Sequence, residues 1–99
     1  MPKQTVDRQE ILDIALQMTR EDGFESVNAR SVARRMGYSV QPIYSYFSNM
    51  DSLKEAVYGA AMGFYNKFIY SRVDGDRILE SMAKANVAFA KYEKNLFRL

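Results

Sequence analysis

The sequence predicts an all-α protein: a three-helix helix-turn-helix unit, a long connecting helix, and the beginning of a further helical region. Three observations predict it. Apolar residues recur at i, i+3, i+4 and i+7 in successive segments. Most of these segments open on Asp, Asn or Ser, the residues that cap helix N-termini. No stretch alternates with the period of two that a half-buried strand needs.

The first helix is expected over about 7–22, DRQEILDIALQMTRED, where Ile11, Ile14, Ala15 and Met18 form the stripe and Leu12 and Leu16 widen it. Asp7 or Thr5 caps its first turn. Gly23 follows as a left-handed C-terminal residue, with Phe24 folding back onto the helix.

The second helix, about 29–36, starts from Asn28 and puts Ala29, Val32, Ala33 and Met36 on one face and Arg30 and Arg34 on another, before Gly37 stops it. Ser39 is the expected cap of a third helix, about 40–47, in which Pro42 falls in the first turn, where no intrahelical N–H bond is lost. Ile43 and Phe47, at i and i+4, bury together with part of Tyr46. Gln41, Tyr44, Ser45 and Ser48 take the opposite side.

A fourth, long helix begins at Ser48 or Asn49, has Asp51 in its first turn, and repeats Leu53, Val57, Ala60, Ala61, Phe64 and Phe68 at helical spacing. The DGD turn at 74–76 leads into a fifth, with Ile78, Met82, Ala85, Phe89 and Tyr92 in register. NLFRL then opens an apolar segment without a cap, which fits a fragment whose later helices are missing. The expected organisation is a DNA-binding unit over 1–50 and, over 51–99, a connecting helix and an incomplete C-terminal helical region.

Composition narrows the function. The chain has 99 residues, 47% of them hydrophobic and 26% charged, enough for one domain with a modest core. It has no Cys and no His, so thiol nucleophiles, disulfides, most zinc and haem sites and the usual neutral-pH proton shuttle are excluded. Carboxylates such as Asp13, Glu21, Asp22 and Glu55 are dispersed, with no pair placed for acid and base roles; an enzyme, or a cofactor, is not expected. The least polar run, AVYGAAMGFY at 56–65, is too short to span a bilayer, which points to a cytoplasmic protein without a membrane partner.

Net charge is only +2, and the first fifty residues balance six basic against six acidic side chains. Local charge is more informative. From Ser26 to Met50 there are three arginines, Arg30, Arg34 and Arg35, and no carboxylate.

Helices two and three are linked by a few residues around Gly37, the spacing of a helix-turn-helix, in which the second helix of the pair enters the major groove. On that reading Ile43 and Phe47 fasten the reading helix. Gln41, with donor and acceptor on one amide, addresses an adenine edge, Pro42 a thymine methyl, and the Tyr44 and Ser45 hydroxyls reach phosphate. A short polar-faced helix in any three-helix bundle is otherwise simply solvated, and Arg34 and Arg35 are open to the same alternative. Tyr58, Met62, Phe64, Tyr65, Phe68, Met82 and Phe89 fit core or an interface better than a ligand pocket.

The stretch from Arg8 to Val57 resembles the N-terminal DNA-binding domain of the tetracycline repressor (TetR) family. It carries the Gly23-Phe24 turn, the R-x-V-A-x-x-x-G pattern of Arg30 to Gly37, and S-x-x-x-I-Y-x-Y-F from Ser39 to Phe47. The resemblance implies phosphate or base contact at Arg30, base reading at Val40, Gln41 and Pro42, and a phosphate-contacting tyrosine at Tyr44. It also implies a histidine-or-tyrosine slot at Tyr46 and an aromatic core slot at Phe47. Ser39, Ser45, Ser48, Asn49 and Lys54 complete the expected contact set. The expected core of the unit is Ile11, Ala15, Phe24, Val32, Ala33, Gly37, Ile43 and Phe47. Two positions depart from the pattern: Met50 stands where a phosphate-binding lysine is common, with Lys54 a partial substitute, and Thr19 where a large apolar residue is usual.

The function implied is a sequence-specific repressor. It binds a palindromic operator in double-stranded DNA as a homodimer, through helix three in the major groove, and answers to a small-molecule effector whose site the sequence does not display. The alternative is a helical protein–protein interaction module without DNA binding.

Overall fold

A computed structural model describes residues 6–99. The described residues form six α-helices and no strand: α1 (Arg8–Asp22), α2 (Ala29–Met36), α3 (Gln41–Tyr46), α4 (Met50–Tyr70), α5 (Ile78–Tyr92) and α6 (Lys94–Phe97). A 3₁₀ turn, Phe24–Ser26, lies between α1 and α2. The all-α expectation holds, and helix boundaries fall within a residue or so of those read from the pattern.

Three helices open on the same reciprocal device. At α1 the Asp7 carboxylate accepts from the Glu10 N–H (2.8 Å) and Glu10 accepts from the Asp7 N–H. Thr5, the other candidate cap, lies outside the described residues. At α2 and α4 the pairs are Asn28 with Ser31 and Asn49 with Ser52; each Asn side-chain oxygen accepts at 2.8 Å, and each Ser Oγ accepts from the Asn backbone N–H. The fourth helix therefore takes Asn49, not Ser48, as its cap.

Two expectations at helix ends change. Ser39 does not cap α3: the chain enters the helix at Val40, already helical (φ −74°, ψ −15°), whose carbonyl accepts from the N–H groups of Ile43 and Tyr44. Gly37 ends α2 as expected, in the left-handed conformation (φ 79°, ψ 25°), and the Tyr38 N–H reaches back to the Ala33 carbonyl to close the helix. Gly37 itself is exposed and shapes the turn; it is not part of the core. Gly23 has φ 97° but ψ 161°, an extended mirror-image conformation that is not the left-handed helical well.

Gly23→Ala should accordingly destabilise the chain by about 1–3 kcal/mol, because that region of backbone space is nearly closed to other residues. A Cβ there would also meet Glu25 Oε1 at 3.0 Å. Thermal unfolding followed by circular dichroism checks it; an unchanged midpoint would mean the turn relaxes freely.

Burial divides into two clusters. The larger joins Ile11, Leu12, Ala15 and Met18 of α1 to Val32 and Ala33 of α2, Ile43 and Phe47, and Leu53 and Val57 of α4, with Phe24 half-buried against it. Thr19 is fully buried, its hydroxyl donating to the Ala15 carbonyl at 2.8 Å, so the polar atom in that apolar position is satisfied. The smaller cluster holds Ala61, Phe89 and Leu96, with Phe64, Tyr65 and Phe68 around Phe89. Phe89 meets Tyr65 and Phe68 nearly edge-on, at 5.0 and 5.3 Å between centroids.

The α5 stripe is buried only in part. Ala85 and Phe89 are covered by α4, whereas Ile78, Met82 and Tyr92 stay exposed, because no described element packs over them. Among the described residues no helix is long and apolar enough to cross a membrane.

Candidate nucleic-acid interface

The turn Gly37–Val40 delivers α3 with one face already committed. Ile43 and Phe47 are 2% and 3% exposed in the larger core, and the partly buried Val40 packs against the same residues. Six residues of helix are too few to be stable alone, so this anchoring holds α3 in place.

The opposite face carries Gln41, Tyr44 and Ser45 at i, i+3 and i+4, all exposed, with Tyr44 52% open to solvent. Ser45 Oγ donates to the Gln41 carbonyl (3.1 Å), and Pro42 is half-buried in the first turn. The fold thus brings Gln41, Tyr44 and Ser45 together. Ser39 stands exposed just before α3, and Ser48 and Asn49 stand exposed just after it. Tyr46 is also 45% exposed, so less of it is buried than its neighbours suggest.

Arg30 is exposed in the first turn of α2, and neither it nor Arg34 forms an ion pair with a carboxylate among the described residues. Arg35 does: its guanidinium donates to Glu21 Oε1 at 2.5 Å. That hydrogen bond, helped by one from Gln17, holds the Glu21 carboxyl below its ordinary range. Arg34 and Arg35, equivalent in the sequence pattern, therefore differ in what they can offer a phosphate.

Lys54 is not gathered onto the α3 face. It is half-buried with its ammonium 5.5 Å over the Phe24 ring, against the α1–α2 connection. Met50 is partly buried against the larger core.

One residue that the sequence reading did not single out belongs with this surface. Arg8, in the first turn of α1, sets its guanidinium 5.2 Å over the ring of Phe47, at the end of α3. Periodicity within one helix gives no sign of a stack between two helices, so nothing in the pattern marked it.

The arrangement is a short, polar-faced helix standing out from a helical body, flanked by an unpaired arginine on α2 and a capped helix start on α4. Residues 11–57 match the family model described as "Bacterial regulatory proteins, tetR family". The chain is also similar to the HTH-type nicotine-responsive transcriptional repressor HdnoR of Paenarthrobacter nicotinovorans, with 31% identity over 80 residues. That alignment covers 80% of this chain and 41% of the relative, so the chain spans well under half of the relative's length. The match over residues 11–57 and the similarity to a transcriptional repressor together support a bacterial regulatory protein of the TetR type.

Proposed function

We propose that the chain is the reading portion of a sequence-specific transcriptional repressor, with residues 1–50 as the DNA-binding unit and α3 lying in the major groove. The observation that carries this is the division of α3: Ile43 and Phe47 buried, Gln41, Tyr44 and Ser45 exposed on the other side. Gln41 reads a base edge, Val40 and Pro42 shape the apolar contact beside it, and Tyr44, Ser45 and Arg30 contact the backbone. Ser39, Ser48 and Asn49 lie at the two ends of the same helix, where phosphates flank the groove.

Two such heads in a homodimer would stand about 34 Å apart, one turn of duplex, and so call for a palindromic operator. Repression then follows from occlusion of the promoter. The similarity to a nicotine-responsive repressor supports response to a small molecule in the whole protein. A cavity of about 230 Å³ lined by Tyr58, Met62, Tyr65, Phe89, Leu96 and Phe97 is the apolar space such a molecule would use. An effector releases DNA only if it binds the non-reading arrangement more tightly than the reading one.

The test is selection of duplexes from a random DNA pool at two salt concentrations. Enrichment of an inverted repeat is expected from a dimer and of a half-site from a monomer. No enrichment at low salt by a folded chain would overturn the reading and favour a protein-binding module. Met50→Lys should add one phosphate contact, steepening the dependence of log K on log salt by about 0.9 and tightening binding most at low salt. An unchanged slope would show that position 50 does not face the backbone.

A further inference from the structure

We infer that Arg20, Glu93 and Asn95 form a clamp that fixes the angle of the reading unit to the helices behind it, making Arg20 and Glu93 positioning residues for DNA binding. The inference rests on the DNA-reading function proposed above and goes beyond it to what sets the geometry of the reading surface.

Arg20 lies near the end of α1, and Glu93 at the break between α5 and α6, 73 residues away in the chain. The contact is bidentate: Arg20 Nε and Nη2 donate to the two Glu93 carboxylate oxygens at 2.9 and 2.7 Å. Glu93's side chain is only 11% exposed, so solvent screens the pair less than a surface pair. The hydrogen bond to Glu93 raises the Arg20 pKa further above its ordinary value. A second bond ties the same two elements, as the Asn95 amide donates to the Arg20 backbone carbonyl at 2.9 Å. On its way, the Arg20 guanidinium also passes 4.6 Å over the Phe64 ring of α4.

Three elements therefore meet on one side chain: α1 through its backbone, α4 through Phe64, and the α5–α6 corner through Glu93. The proposed DNA contacts are split between α2–α3, which pack on α1, and the start of α4 at Asn49. Both groups reach the duplex together only at one angle between α1 and α4, which packing of α1 against Leu53 and Val57 sets at one end and the Arg20 contacts hold at the other. Arg20 touches both sides of that angle and ties them to the α5–α6 corner as well.

Positioning and charge predict opposite signs, which makes the inference testable. DNA affinity is measured across a salt series for the full chain, Arg20→Ala, Glu93→Gln and the double variant, on the most enriched duplex, with folding checked by circular dichroism. Each single variant should bind about tenfold more weakly, the double variant no worse than either, and the salt slope should not change. On charge alone, Glu93→Gln removes a negative group and should tighten binding, so tighter or unchanged affinity overturns the clamp. So does a loss confined to Arg20→Ala with the slope falling by about one, the mark of a direct phosphate contact. If Arg20→Ala does not fold, Glu93→Gln and Asn95→Ala carry the same comparison. A folded parent chain that binds no duplex would instead defeat the DNA reading itself, and the clamp's role with it.

Discussion

Phe47→Ala is expected to remove most of the stability of the reading unit. Phe47 is 3% exposed, shares the larger core with Ile43, Val32 and Ile11, and stands directly after α3 as its C-terminal cap residue. Truncating a buried phenylalanine costs about 3–5 kcal/mol, against a total of about 5–15 kcal/mol for a small domain. The stack with Arg8 goes as well. Since α3 has only six residues, it has no stability of its own to retain its shape once this anchor is lost. Thermal unfolding should show a midpoint lowered by well over ten degrees or no cooperative transition, on the scale of about 4–8 °C per kcal/mol for a chain of this size. A midpoint within a few degrees of the parent would mean that Ile43 alone holds α3 to the body.

Most of the fold was legible because helices leave a periodic trace and end in recognisable residues. Ile11, Ala15, Val32, Ala33, Ile43 and Phe47 were placed in the core from spacing, and all six are buried. The 3₁₀ turn at Phe24–Ser26 is too short to have a period. Asn28 was read as a cap and Asn49 as one of two candidates, but the return bonds from their backbone N–H groups to Ser31 and Ser52 escaped, because serine in the third helical position is not the Glu or Gln that usually marks a capping box. Ser39 was read as a cap from residue type alone, whereas the backbone is already helical at Val40.

What the sequence could not show is the set of contacts made between elements. Arg8 over Phe47 and Arg20 with Glu93 join residues far apart in the chain, and each looks like ordinary surface charge within its own helix. The same limit applies to α5. Ile78, Met82 and Tyr92 share a register with Ala85 and Phe89, but register fixes only which residues share a face, not how far along the helix a partner covers it.

The candidate site is where the second large effect is expected. Gln41→Ala combined with Tyr44→Ala should weaken binding to the selected duplex about a hundredfold while leaving the unfolding midpoint nearly unchanged, since both side chains are exposed. A bidentate amide-to-adenine contact is worth about 1–3 kcal/mol and a phosphate hydrogen bond about 1 kcal/mol, and each 1.4 kcal/mol is tenfold in affinity. The two changes should also be separable. Gln41→Ala should broaden the sequence preference at one base position, whereas Tyr44→Phe should weaken all sequences alike. Neither removes a charge, so neither should alter the salt slope, while Arg30→Ala should lower it by about 0.9. That pattern of three distinct responses would arise only if α3 lies in a groove with α2 on the backbone beside it. Equal, small losses for all three variants would instead mean that the exposed face of α3 is simply solvated.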